Sequence, residues 1–113
     1  MLFQKCWIHN YFMIVKRWLA PLIPTEAQVR AQFEREGLEC FEEPFKAGSF
    51  IPDHRHPFDE IRMIVAGQLF YNIAGNKLLL RQGDKIIIPS NTRHSKEVPS
   101  QKDCLSICAY RAY

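Results

Sequence analysis

The rhythm of apolar and polar positions changes near residue 38. From Leu38 onward, short apolar or alternating runs are separated by Gly, Pro, Asn and Asp, the pattern of strands joined by turns. Phe50–His56, Ile61–Val65, Leu69–Ile73, Lys77–Leu80, Lys85–Ile88, His94–Val98 and Cys104–Tyr110 each read as a strand. Ala74-Gly75-Asn76-Lys77 reads as a tight hairpin turn, on the ground that Gly75 and Asn76 accept positive φ. Gln82-Gly83-Asp84 reads as a second turn. Short strands at this spacing predict an all-β sandwich or barrel over residues 38–113.

Before residue 38 the pattern is helical. Pro24 precedes Thr25, an N-cap residue, and Gln28 stands three positions on, as a capping box requires. Val29 and Phe33 share one face, and Glu26 and Arg30 can pair on another. Gly37 ends the pattern. Residues 25–37 are thus expected to form one short amphipathic helix lying on a sheet. Residues 1–24 are apolar and aromatic without a clear period, and read as an arm: an edge strand or a dimerisation segment. Met13 is a second candidate start, and the sequence does not choose.

Composition narrows the classes. Hydrophobic content of 47% and charged content of 24% are ordinary for a globular chain of 113 residues and exclude a disordered or collagen-like one. Lys+Arg 15 against Asp+Glu 12 gives +3, with no run of like charge, so neither nucleic acid nor a membrane surface is expected as a partner. No apolar stretch is long enough for a spanning helix. Lys5 precedes the apolar stretch Tyr11–Val15, but His9 and Asn10 interrupt it and no cleavage site follows, so no signal peptide is read. Cys6, Cys40, Cys104 and Cys108 form no C-x-x-C pair. Along one strand Cys104 and Cys108 would stand about 13 Å apart, too far for a bridge. Buried thiols in a reducing, cytoplasmic setting are the expectation.

The chemistry gathers in the second half of the chain. His54 and His56 at i and i+2 can converge on one point from a strand. Glu60 opens the next strand and can face back, and His94 follows the Pro89–Arg93 turn. An isolated H-x-H is more often a surface or packed pair. Adding a carboxylate and a third imidazole from separate strands makes a ligand set for a divalent transition metal. The spacing around them is specific. Gly48, five residues, His54, one, His56, three, Glu60, six, Gly67 form one block; Gly83, five, Pro89, one, Asn91, two, His94 form another.

These blocks resemble the two motifs of the cupin superfamily. The first matches at each defined position. The second departs at Asn91, where the family usually has Gly, and at Val98, where it usually has Asn. Asn tolerates a left-handed backbone better than most residues, so the first departure is mild. The resemblance implies a small jelly-roll barrel with His54, His56, Glu60 and His94 as ligands of one divalent metal ion. Three imidazoles and one carboxylate suit Fe, Mn, Ni, Cu or Zn and would leave positions for oxygen or a bidentate substrate.

Alternation from Glu60 sends Arg62 and Ile64 inward, Ile61 and Met63 outward. Arg62 could grip a carboxylate or enolate oxygen of substrate, or pair with an internal acid. Tyr71 reads as inward, as a donor or a core aromatic, and Phe50 and Pro52 as apolar wall beside His54. Asp53, Asp59 and Asp84 are candidates to orient an imidazole, though turn roles are commoner. Arg62 and Tyr71 are the catalytic candidates. Three functions follow: a metal-dependent dioxygenase-like or isomerase-like enzyme for a small carboxylate or enediol; a ligand-binding or sensing module working through a partner; or an oligomerisation unit with vestigial histidines. The apolar arm predicts a homodimer, with residues near 13–20 packing on, or adding a strand to, the partner's sheet.

Overall fold

The computed structural model describes residues 3–8 and 11–112, and side chains from Ile14 onward. The elements are β1 (Phe3–Ile8), β2 (Tyr11–Trp18), α1 (Glu26–Arg35), β3 (Phe41–Phe45), β4 (Phe50–His54), β5 (Asp59–Ala66), β6 (Leu69–Ile73), β7 (Asn76–Leu80), β8 (Lys85–Ile88), β9 (His94–Glu97) and β10 (Cys104–Arg111). They form an all-β jelly roll of two antiparallel sheets, ordered β1-β2-β8-β5-β10-β3 and β4-β9-β6-β7. All seven strands expected from the apolar runs are present.

The helix forms as its caps dictate. Gln28 N donates to Thr25 Oγ1 at 3.2 Å, and Thr25 N donates to Gln28 Oε1 at 2.9 Å. Arg30 pairs with Glu26 at 3.0 Å, and Gly37, at φ 75, follows the last turn. Val29 and Phe33 pack on Ile61, Met63, Ile107 and Ala109, the outer face of β5 and β10. The inner face meets the four-stranded sheet around Ile64, Leu69, Tyr71, Ile73, Leu80 and Ile86. Each such side chain removed from water contributes roughly 1.5–3 kcal/mol. The parity expected of β5 therefore holds: Ile61 and Met63 lie under the helix, and Ile64 lies between the sheets.

Other readings are corrected. Residues 11–18 are an inner strand: β2 pairs with β1 on one side and with β8 on the other, Val15 opposite Ile86. The arm is therefore woven into this chain's own sheet, and its free edge belongs to β1. Asp84 fastens it, accepting from Trp18 N at 2.9 Å and from Arg17 Nη1 at 2.8 Å. Gly83 lets this happen, because a Cβ there would meet Trp18 at 2.7 Å. The expected burial of Cys6 falls on a side chain outside the described ones, and His9 is outside altogether.

The β6–β7 turn places Ala74 (φ 52) and Gly75 (φ 80) in the left-handed region, so Ala74 takes the strained position that Asn76 was expected to fill. β3 was not read as a strand, because Glu42, Glu43 and Pro44 hide it. It is an edge strand, where proline's missing N–H costs little.

Candidate metal centre

His54 ends β4 and lies directly opposite His94, the first residue of β9. The pairing contains a bulge: Ile51 faces Lys96, yet His54 faces His94, three residues along one strand against two along the other. This extra residue breaks the alternation, and it corrects the wall assigned to Phe50 and Pro52. Phe50 pairs with Glu97 and is 63% exposed. His56 lies just beyond β4, where Phe58 stacks on its ring at 4.3 Å with planes 5° apart. Asn91, at φ 62, donates its N–H to His56 O at 2.8 Å, so the left-handed position falls on a residue that tolerates it.

The three imidazoles meet. One ring nitrogen from each of His54, His56 and His94 can be chosen so that all lie within 4.8 Å of one another. Each Nδ1 faces a backbone carbonyl: His54 with Pro52 O (2.9 Å), His56 with Phe58 O (3.0 Å), His94 with Thr92 O (2.8 Å). A carbonyl only accepts, so each Nδ1 carries the proton and each neutral ring keeps its Nε2 lone pair free for a cation. The job expected of Asp53, Asp59 or Asp84 is thus done by main chain. Those aspartates serve Arg93, Ser90 N and Arg111, and the β8 turn.

Glu60 reaches the cluster from β5 in the opposite sheet. Its Oε1 lies 3.2 Å from His56 Nε2, 3.6 Å from His94 Nε2 and 3.4 Å from Lys96 Nζ. Its Oε2 accepts from Tyr71 Oη and from Arg62 Nε at 3.2 Å. Arg62, wholly buried, also donates to Tyr71 Oη (2.8 Å) and Ser106 Oγ (2.7 Å) and pairs with Glu43 Oε1 (2.7 Å). Burial works against the Glu60 charge, but His56, His94, Arg62 and Lys96 outweigh it and hold the carboxyl well below its usual range. Burial pushes the Tyr71 phenol well up, so it stays protonated and donates. Burial lowers the His54 imidazole, whereas the Glu60 contact raises that of His56.

These residues fit a metal ion. His94 Nε2 is buried and has no hydrogen-bond partner, a costly arrangement for a lone pair. At His56, Nε2 and a carboxylate oxygen face each other across 3.2 Å, which is favourable only with a proton or metal cation between them. Lys96, Glu43 and Ser106 are additions that sequence reasoning missed. Lys96 was within reach, since i+2 from His94 puts it on the same face. Glu43 and Ser106 show no such local signal.

The cupin domain family matches residues 41–110. The chain belongs to the cupins. Over 51 residues this cupin is 41% identical to an acireductone dioxygenase from Bacillus licheniformis, covering 41% of the chain and 28% of that enzyme. The match thus spans little more than a quarter of that relative's length. Among solved structures it resembles an acireductone dioxygenase from Bacillus anthracis with a cadmium ion in its active centre. The TM-score is 0.66 at 21% identity, over 88% of this chain and 78% of that one. It also resembles a cupin protein from Bacteroides fragilis, with TM-score 0.60 at 20% identity over 97% and 84% of the two chains. At these identities the structural likeness speaks for the fold. Among the described residues, no helix is long and apolar enough to cross a membrane.

Proposed function

We propose that this cupin binds one divalent transition metal ion through His54, His56, His94 and Glu60. At that centre it acts on a small carboxylate or enediol, as a dioxygenase-like or isomerase-like enzyme. The observation that carries the reading is the buried, unpartnered Nε2 of His94 beside two further histidines whose Nδ1 atoms are committed to main chain. The acireductone dioxygenase relative that is 41% identical over 51 residues supports the substrate class. When bound, such an ion supplies Lewis-acid polarisation of a substrate oxygen.

The chain's own residues prepare that step. Tyr71 and Arg62 hold Glu60 Oε2 and leave Oε1 turned toward the histidines. Tyr71 is therefore proposed as a positioning residue, and Arg62 positions Glu60 through its Nε. Arg62 Nη2, buried without a partner, remains as a donor for a substrate oxygen. Elemental analysis of untagged protein tests the centre. About one ion per chain is expected, falling near zero in His94→Ala with the circular dichroism of the barrel retained. A wild-type protein that takes up no divalent metal would sink the reading.

The sensing alternative draws support from a different place. Cavities of about 730 and 650 Å³ share Trp18 and Ile23, next to the exposed Leu19 (57%) and Leu22 (83%). Ligand-dependent association with a second protein, without turnover, would favour it. A homodimer using the free edge of β1 is the proposed assembly, and a monomer mass by light scattering at micromolar concentration would refute it. Cys40, Cys104 and Cys108 are free, in keeping with a proposed cytoplasmic setting.

A further inference from the structure

Lys96 is a long cationic side chain turned into a barrel. On β9 it lies two residues past His94, on the same inward face, and its side chain is 6% exposed. Its Nζ sits 3.4 Å from Glu60 Oε1 and 5.7 Å from the centre of the Tyr71 ring. Burying an ammonium is expensive, and a methionine would fill the same space without that cost. Counter-charge for Glu60 is a weak explanation, because Arg62 and Tyr71 already satisfy Oε2. The remaining oxygen, Oε1, is the one that faces the histidines.

Charge balance sharpens the point. Glu43 with Arg62, and Glu60 with Lys96, cancel as two ion pairs. A divalent ion added beside them leaves the cluster positive by the ion's own charge. It also competes with Lys96 for Oε1, the one carboxylate within ion-pair distance of Nζ among the described residues. An anionic ligand would restore both balances, since its oxygen can accept from Nζ while its charge offsets the ion. A neutral ligand would restore neither.

We propose that Lys96 determines specificity in this cupin, its ammonium binding a carboxylate or enediolate oxygen so that the site selects anionic over neutral ligands. The proposal rests on the metal centre argued above and adds to it a residue that neither sequence motif defines. Lys96 is not one of the metal-holding side chains. Its part is to receive the substrate's charge.

The test uses the full chain loaded with cobalt(II), whose visible spectrum reports ligand binding directly. Acetate serves as the anionic probe and imidazole as the neutral one, titrated into wild type, Lys96→Met and Lys96→Arg. In Lys96→Met the acetate Kd is expected to rise about ten- to a hundredfold, the size of a lost hydrogen bond between charged groups. The imidazole Kd should stay within about twofold, and Lys96→Arg should recover most of the acetate affinity. Should Lys96→Met fail to fold, Lys96→Gln carries the same comparison with a polar head and no charge. Unchanged acetate affinity in a neutral variant that still binds cobalt overturns the role of Lys96 and leaves the metal centre standing. Equal weakening of acetate and imidazole overturns it too, as a general disturbance rather than selection by charge. A wild-type chain that takes no cobalt overturns the centre, and the role of Lys96 falls with it.

Discussion

The two faces of β5 are built on opposite terms. Outward, Ile61 and Met63 meet Val29 and Phe33 of the helix and Ile107 and Ala109 of β10, an apolar layer bordered by one buried cation, Lys85, whose Nζ lies 5.6 Å from the Phe33 ring centre and pairs with Glu36. Inward, Glu60 and Arg62 are equally buried, but each is held by named partners: His56, Lys96, Tyr71, Ser106 and Glu43. Ile64, two residues further along that inward face, returns to apolar packing with Leu69 and Ile86. Burial on the outer face stabilises without orienting anything. On the inner face it costs desolvation and returns orientation: a carboxylate whose two oxygens have different tasks. One strand therefore separates what keeps the domain folded from what could give it chemistry.

Breaking the outer face should have the largest effect on stability. Phe33→Ala removes a fully buried ring from the helix layer. It is expected to cost about 4 kcal/mol in urea unfolding, within the range for large-to-small core changes. Metal stoichiometry of the protein that remains folded should not change, since no helix side chain reaches the histidines. A loss of metal in proportion to stability would mean that the two faces are not independent.

Arg62→Met attacks the inner face with a smaller expected effect, about 3 kcal/mol for the metal-free protein. Methionine fills much of the volume, and the half-exposed Glu43 can turn to water, but Glu60 keeps a buried charge with one cation fewer. Because the loss is electrostatic, a divalent ion should recover part of it, whereas Phe33→Ala should gain from metal only what wild type gains. Unfolding curves with and without cobalt separate the cases. An equal response to metal in both variants would remove Glu60 from the centre.

The legibility of the two faces in the sequence differs for physical reasons. The outer layer declares itself through local rules: the Thr25–Gln28 capping box, Val29 and Phe33 one turn apart, and the alternation of β5. The proposed metal ligands were legible because His54, His56, Glu60 and His94 lie in two short blocks of fixed spacing. Parity stopped working where the backbone stopped alternating. The bulge in β4 turned Phe50 out to solvent, although counting by twos had placed it beside His54. Glu43 was invisible for another reason. Its strand contains a proline and adjacent acids, and its contact with Arg62 is made across a sheet from a distant part of the chain. Lys96 was missed with the signal in view, because a lysine two residues past a ligand reads as surface until the strand is known to face inward.

The smallest expected effect comes from a position on neither face. Ala74 occupies the first left-handed position of the β6–β7 turn at φ 52, with Gly75 at φ 80 beside it. A turn with both central residues at positive φ favours Asn-Gly, because the asparagine side chain tolerates the conformation that alanine's Cβ resists. Ala74→Asn should therefore stabilise by about 0.5–1 kcal/mol. The turn follows Ile73, which lies opposite His94, but Ala74 itself is exposed and its strain is local, so cobalt affinity and the acetate preference should stay at wild-type values. This supplies stability without touching either face of β5. If the added stability tightened ligand binding, the inner cluster would be drawing its order from the fold as a whole, not from the contacts around Glu60.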